Sequence, residues 1–505
     1  DKANGFRKNL YLKRSDTSRK DEGTSRIKVN WQITDNTKIK FLVSQVDLDD
    51  PADIWTIDGS LNTLSDRPGM DSQKTNSYGI KVFHSFDGFE FQSFTSSTDT
   101  DVVFSYDADW GNTDSHFPYV YDYFSETLRD RRSFNQEFRI VSDPADFLQD
   151  SFIEWVVGAN YLELKESNFK KDDGLYGDPT DPFGPYASAS SSFSQYKSSN
   201  ISVFGNLDYL LSASLKFSIG LRVEDWEANY SDSLKESFNP SDMMSGGKIS
   251  LIKNMTNDTN MYASLAKGYK QGGFNLGLGL DANLTNKNLA YDPEFLTNYE
   301  LGINTKLLGS KVTFNGVLFY SDREDQQVLI STQTDPGDPN TFSSLTQNAA
   351  EGVNQGLEIN MDMDINESLS AFFNLGILNT KIKNWESRQD LEGRAQAHAP
   401  ERSYALGFNW TPTSHTYLAI DFTGKSNFYY SDSHNNKSKS YVLTNLNLGY
   451  VKNNWNYELW ARNIFDEYYS VRGFYFGNEA PNFIDTLYER HGDPRHIGLT
   501  IRYDF

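Results

Sequence analysis

Two clusters of aromatic residues are the places in this 505-residue chain where a ligand could be gripped. Trp110, Phe117, Tyr119, Tyr121 and Tyr123 crowd one stretch, and Phe474, Tyr475, Phe476 and Phe483 crowd another. Such rings hold a ligand by stacking, with no bond made or broken. Arg472 lies beside the second cluster, and Arg129, Arg131 and Arg132 follow the first. Guanidinium groups there would attract an anion through charge-assisted hydrogen bonds. The candidate contacts are therefore Trp110, Tyr119, Tyr121, Arg472, Tyr475 and Phe476. The same residue types have plainer uses: aromatic side chains also form interfacial belts or pack loops together, and arginines on polar faces also form ion pairs. Both readings stay open on the sequence.

Other chemistries find less support. The seven histidines, at 84, 116, 398, 415, 434, 491 and 496, include no pair at the spacing of a metal site, which needs convergent ligands. Gly277-x-Gly279-x-x-Ala282 matches a dinucleotide fingerprint in form, but no credible helix follows it, and a loop is the better reading. Neither a G-x-S-x-G elbow nor an H-E-x-x-H motif occurs, so catalysis has no foothold. Acidic clusters at Asp99–Asp114 and Asp172–Asp181 depart from calcium-loop spacing and read as solvated loops. The expectation is a protein that is not an enzyme, with no cofactor and no dedicated metal.

The composition agrees. A net charge of −22 and a pI near 4.7 argue against nucleic acid as a partner, because phosphate binding needs a basic surface. Cysteine is absent, which removes disulfides and thiolate sites together. Mean hydropathy is −0.61, and no run approaches the roughly 18 apolar residues of a membrane helix. A membrane β-barrel keeps that mean low, because only alternate residues face lipid. The aromatic share of 14% suits interfacial girdles.

What must position the clusters is a series of strands. The C-terminal stretch shows it best: Ile497, Leu499, Ile501, Tyr503 and Phe505 share one face, and His496, Gly498, Thr500, Arg502 and Asp504 the other. Leu215–Val223, Tyr299–Ile303 and Tyr404–Trp410 repeat the period of two. Nineteen strands are expected, near 22–33, 38–46, 72–86, 89–106, 126–142, 150–166, 197–211, 214–231, 243–253, 259–274, 295–308, 311–330, 345–364, 369–385, 400–411, 415–431, 438–452, 455–476 and 493–505. Little helix is expected. Alternate links are tight and rich in Gly, Asn, Asp and Ser, as at Asp87–Gly88, Gly309–Ser310 and Asn453–Asn454. The others are long, including 47–71, 107–125, 167–196, 275–294 and 477–492. Short turns on one side and long loops on the other are the signature of an outer-membrane barrel, with the turns periplasmic. Tyr450, Trp455, Tyr457 and Leu459, near one such turn, are expected to point outward at the lower interface.

Parity adds an expectation. If Phe505 ends on the periplasmic side, counting back puts residues 1–21 outside the cell. An odd number of strands is then expected upstream, and the strands at 22–33 and 493–505 should not pair directly.

Several stretches resemble the barrel of TonB-dependent outer-membrane receptors: Asn298–Lys306 (NYELGINTK), Val312–Asp322 (VTFNGVLFYSD), Tyr262–Asn275 (YASLAKGYKQGGFN), Ala461–Tyr469 (ARNIFDEYY) and Gly492–Phe505 (GDPRHIGLTIRYDF). Phe104–Asn112 and Leu128–Ile140 are similar to the iron-complex branch. The resemblance covers essentially the whole chain. It implies an all-β, transmembrane antiparallel barrel of 22 strands, of which about 19 are present over 1–505, with an N-terminal plug and coupling box absent from this sequence. It further implies location in the outer membrane of a Gram-negative bacterium, among outer-membrane lipid and lipopolysaccharide. The implied partners are a ferric siderophore or similar ligand, stacked on the aromatic clusters, and a TonB-type energy-coupling protein acting through the plug. The alternatives are uptake of another solute (a corrinoid, haem or glycan) and a passive porin, which would have 16–18 strands.

Overall fold

The computed structural model describes residues 2–143, 153–233, 237–275, 289–333, 342–385 and 388–504. The glycine-containing loop motif at 277–282 lies outside the described residues. One sheet of 21 strands dominates. Two of its members, Lys2–Ala3 and Ser237–Phe238, are two-residue pieces, which leaves nineteen long strands. In chain order these are Lys20–Thr34, Thr37–Pro51, Met70–Phe86, Phe89–Asp107, Val120–Ser142, Ile153–Gly177, Tyr186–Ser212, Leu215–Asp232, Ser241–Thr256 and Thr259–Lys270. Glu294–Leu307, Val312–Gln333, Phe342–Asn366, Leu369–Asn384, Arg402–Thr413, Thr416–Lys425, Tyr441–Lys452, Trp455–Arg462 and His496–Tyr503 complete the series. Each pairs antiparallel with the next. They correspond one for one to the strands expected from the period of two. The helix among the described residues is a single 3-10 turn, Gln389–Leu391.

Alternation decides which way each strand faces. On Leu215–Asp232, Leu221 and Val223 are exposed outward, while Arg222 and Glu224 between them form an ion pair at 2.6 Å on the inner face. On Glu294–Leu307, Leu301 is 60% exposed, while Glu300 turns inward and accepts from Asn298 at 2.8 Å. Such a continuous apolar exterior around a polar interior is stable only where the exterior meets lipid. The structure is a membrane-spanning barrel. Tyr450, Trp455, Tyr457 and Leu459 all lie exposed, with Trp455 packed at 4.7 Å against Tyr503. On the inner face, Tyr417 of the strand Thr416–Lys425 donates to Glu458 at 2.5 Å.

The tight turns follow from local chemistry. Gly88 takes φ +83°, and the Leu308–Gly309–Ser310 turn is left-handed at all three residues, with Gly309 tolerating it best.

Three strands end sooner than the sequence pattern suggests. The strand expected over 455–476 stops at Arg462, because Asn463 turns left-handed (φ +48°). Its side-chain oxygen accepts from the Glu467 amide, and its Nδ2 donates to the Glu467 carbonyl, so this side chain knots the break. Residues 470–491 then form a separate hairpin, Ser470–Phe476 against Thr486–His491, so Arg472 lies on that hairpin and not on a barrel strand. The strand expected over 259–274 ends at Lys270, and Phe274 is buried against Trp226, Ala228, Tyr230 and Met244. The strand expected over 415–431 ends at Lys425.

Among the described residues no register joins His496–Tyr503 to Lys20–Thr34. The last strand pairs with Trp455–Arg462 alone, and the first with Thr37–Pro51 and the short Lys2–Ala3 piece. The sheet nevertheless curls until its two ends meet on the long-loop side, where Phe6 lies 5.9 Å from the His496 ring and Tyr468 donates to the Gly59 carbonyl at 2.6 Å.

Candidate functional site

The long loops come together at one mouth of the barrel, beyond the lipid-facing band. The connection between Thr37–Pro51 and Met70–Phe86 brings Trp55 and Ile57. The connection before Val120–Ser142 brings Trp110. The 470–491 hairpin brings Phe474, Phe476 and Tyr488. Trp55 stacks on Trp110 at 5.3 Å and meets Phe474 at 4.5 Å. Trp110 meets Phe476 edge-on at 5.6 Å and Tyr488 at 5.0 Å. Offset and edge-to-face pairs of this kind each add about 0.5–1.5 kcal/mol beyond the area they bury.

Local sequence sets the Trp110 turn. Asp107 accepts from the Trp110 amide at 3.1 Å, and Asp109 accepts from the amides of Gly111 at 3.2 Å and Tyr123 at 2.8 Å. These side-chain-to-backbone bonds hold Trp110 at φ +56° with its ring inward. Ser65 donates to Asp107 at 2.5 Å and ties the two loops. Burial, reinforced by the neighbouring Asp109, pushes the Asp107 carboxyl well above the usual carboxylate range; burial pushes Asp109 up as well.

The six candidate residues fall into two groups. Trp110, Tyr121 and Phe476 are buried and spend their rings on one another and their neighbours. Tyr121 contacts His116, Tyr123 and Phe483 and donates to Asn478 at 3.2 Å. Tyr119 is half-buried at the edge of this group. Arg472 and Tyr475 remain exposed. Arg472 lies over the Phe474 ring at 4.8 Å, and Tyr475 packs 5.6 Å from His434. A polar cavity of about 570 Å³ opens beside Tyr475, lined also by Ser331, Arg388, His434 and Asp485. His434 Nδ1 accepts from the Asn436 amide at 3.2 Å, and burial lowers the pKa of this ring, so it is neutral.

Arg129 and Arg131 do not reach the mouth as free cations, since both bind Glu166, at 3.3 and 2.6 Å. Arg132 pairs with Asp99 and Asp130. Trp55, Tyr488, Arg490 and Arg7 were not among the candidates. Trp55 is a lone aromatic in a long polar connection, and Tyr488 and Arg490 alternate within a stretch that reads as loop.

Residues 11–464 match the model of the family described as TonB dependent receptor-like, beta-barrel. The chain belongs to that family. The receptor's place is accordingly the outer membrane of a Gram-negative bacterium. It is 23% identical over 269 residues to the pesticin receptor of Yersinia pestis, a match covering 51% of this chain and only 36% of that protein. Among solved structures, it resembles the ferric yersiniabactin uptake receptor FyuA of Yersinia pestis with a TM-score of 0.78 at 16% identity, covering 100% of this chain and 74% of that one. The siderophore receptor PiuA of Acinetobacter baumannii gives 0.73 at 16% identity, covering 96% and 74%. At these identities the two structures establish the receptor's fold.

Proposed function

We propose that this chain is the barrel of a receptor that captures a ferric siderophore, or a similar scarce metal complex, outside the cell and admits it to the periplasm. The observation that carries this reading is the knot of loops across the barrel mouth. Residues 53–66, 107–123 and 470–491 pack together over a polar lumen and leave Arg472, Tyr475 and the neighbouring cavity facing outward. A passive pore needs an open mouth, whereas a receptor needs a rigid surface that holds a ligand while the passage stays shut. The family match and the siderophore receptors of the same fold point the same way.

The work is binding and gated passage, with no covalent step. Energy would come from a TonB-type coupling protein through a plug inside the barrel, and the free edges of Lys20–Thr34 and His496–Tyr503 are where further strands would complete the ring. The test is uptake of radiolabelled ferric siderophores by cells with and without the gene. Loss of one complex's uptake on deletion, and its abolition when TonB is inactivated, is the expected result. Unchanged uptake of every complex together with TonB-independent leakage of small sugars would favour the passive pore.

A further inference from the structure

Six asparagines stand side by side on the lumen wall. Asn254, Asn260, Asn304, Asn315, Asn360 and Asn374 lie on six consecutive strands, and each is the direct cross-strand partner of the next. Leu251, Met261, Leu301, Leu318 and Ile377, of opposite parity on these strands, are exposed outward, so the asparagines face inward. Propensity does not account for the row. Asparagine is depleted in strands, and threonine or tyrosine would keep the wall polar at less cost. A local rule broken at six successive positions is where function is to be sought. Nor is the row a closed ladder of side-chain bonds. Asn304 donates to Asn260 at 2.9 Å, while Asn254, Asn315, Asn360 and Asn374 form no side-chain hydrogen bond among the described residues.

The row is inclined. Strands of such a barrel tilt by about 35–45° and lie about 4.8 Å apart, so direct partners shift in height by about 3 Å per strand, about 15 Å over the row. Asn254 and Asn260 flank the short turn between Thr256 and Thr259, whereas Asn360 and Asn374 lie further from theirs, between Asn366 and Leu369. The amides therefore descend from inside the lumen to its short-turn rim, the periplasmic one. A cavity of about 720 Å³ adjoins Asn254, Asn260, Asn304 and Asn315, and one of about 320 Å³ adjoins Asn360 and Asn374. Elsewhere the inner wall near the turns is charged and closed on itself: Lys216 pairs with Asp208 at 3.0 Å, and Arg139 with Glu137.

We propose that this row is an exit track, along which the captured complex passes to the periplasm by successive hydrogen bonds between its organic shell and the amides. Passage needs contacts strong enough to enter and weak enough to leave, spread over several sites. An asparagine side chain offers two donors and an acceptor without a charge, and water competes for each bond. A fixed charge in the same place would trap a complex of opposite sign and repel one of like sign. The ligands suited to the track carry uncharged hydroxyl, amide or carbonyl groups on their outer surface. This inference rests on the receptor reading and adds to it the path and the chemistry recognised along it.

The experiment uses cells carrying the full receptor, offered in turn radiolabelled ferric tris-hydroxamate, ferric tris-catecholate and ferric citrate. Binding is measured with cell energy poisoned and initial uptake with it restored, both per folded receptor as counted by heat-modifiable mobility. In the triple variant Asn315→Leu, Asn360→Leu, Asn374→Leu, the maximal uptake rate of the transported complex should fall about tenfold, with binding and KM unchanged. The triple variant Asn315→Gln, Asn360→Gln, Asn374→Gln, which keeps the amides, should retain most of the native rate. An unaltered rate in the leucine variant overturns the track and leaves the receptor reading standing. An equal loss in the glutamine variant, or loss of binding together with rate, overturns it as well. If the leucine variant fails to assemble, its three single substitutions decide: each should slow uptake about twofold, and native rates in all three overturn the track. If the native receptor takes up none of the complexes, the receptor reading falls and the track falls with it.

Discussion

The hydroxyl of Tyr121 donates to Asn478 Oδ1 at 3.2 Å, and the Asn478 amide donates in turn to the Asp109 carbonyl oxygen at 3.4 Å. Both side chains are fully buried. One asparagine on the 470–491 hairpin thus ties together two points of a loop that lies hundreds of residues earlier in the chain. Asn478→Ala would remove both hydrogen bonds from this buried region, at a cost of about 1–3 kcal/mol. The expected outcome is faster amide exchange across residues 470–491 and 107–123, with the barrel strands unchanged. Loss of protection spread evenly over the barrel would mean that the knot and the barrel open as one unit.

The Asp107–Asp109 pair gives the knot a pH dependence. Both carboxyls titrate above their ordinary range, chiefly through burial, so the closed loops hold a proton that the opened loops would release. The sign follows from linkage: the stabilisation is full in acid, below the ordinary carboxylate pKa, and is lost as pH rises through the raised values. Asp66, Asp122 and Arg67 face the same region, and Arg67 pairs with Asp122. Tryptophan fluorescence should report loosening of the Trp55–Trp110 stack as pH rises through neutrality. In Asp107→Asn that response should be much reduced; an undiminished response would place its origin elsewhere.

The lipid-facing assignment is tested at Leu301, whose side chain points outward from the middle of its strand. Leu301→Lys should destabilise the barrel by about 2–4 kcal/mol, the cost of a lysine near the bilayer midplane. Leu301→Phe should be close to neutral. Unfolding in lipid vesicles measures both, and a lysine variant as stable as the native protein would contradict the assignment.

The strands were legible in the sequence because each must be apolar on the side that meets lipid. Leu215 to Val223 and Ile497 to Tyr503 write that requirement out at every second position. The break at Asn463 was not legible: its left-handed backbone depends on bonds to Glu467 and to the Asp493 carbonyl, and the latter is a contact across 30 residues. Aromatic loop residues announced the mouth but not their division of labour. Whether a ring is buried, as in Trp110, or left exposed, as in Tyr475, depends on Trp55 and Tyr488 arriving from other loops. The cross-strand pairing of Arg472 with Arg490 needed the hairpin register, which no local pattern supplied.

A ferric complex is expected to bind at the mouth beside Trp55, Arg472 and Tyr475. The direct measurement is tryptophan fluorescence of the intact receptor titrated with a panel of ferric siderophores. Saturable quenching by at least one complex is predicted, weakened about tenfold in both Trp55→Ala and Tyr475→Ala, with heat-modifiable mobility on gels unchanged. No saturable quenching by any member of the panel, or binding that neither substitution alters, would contradict it.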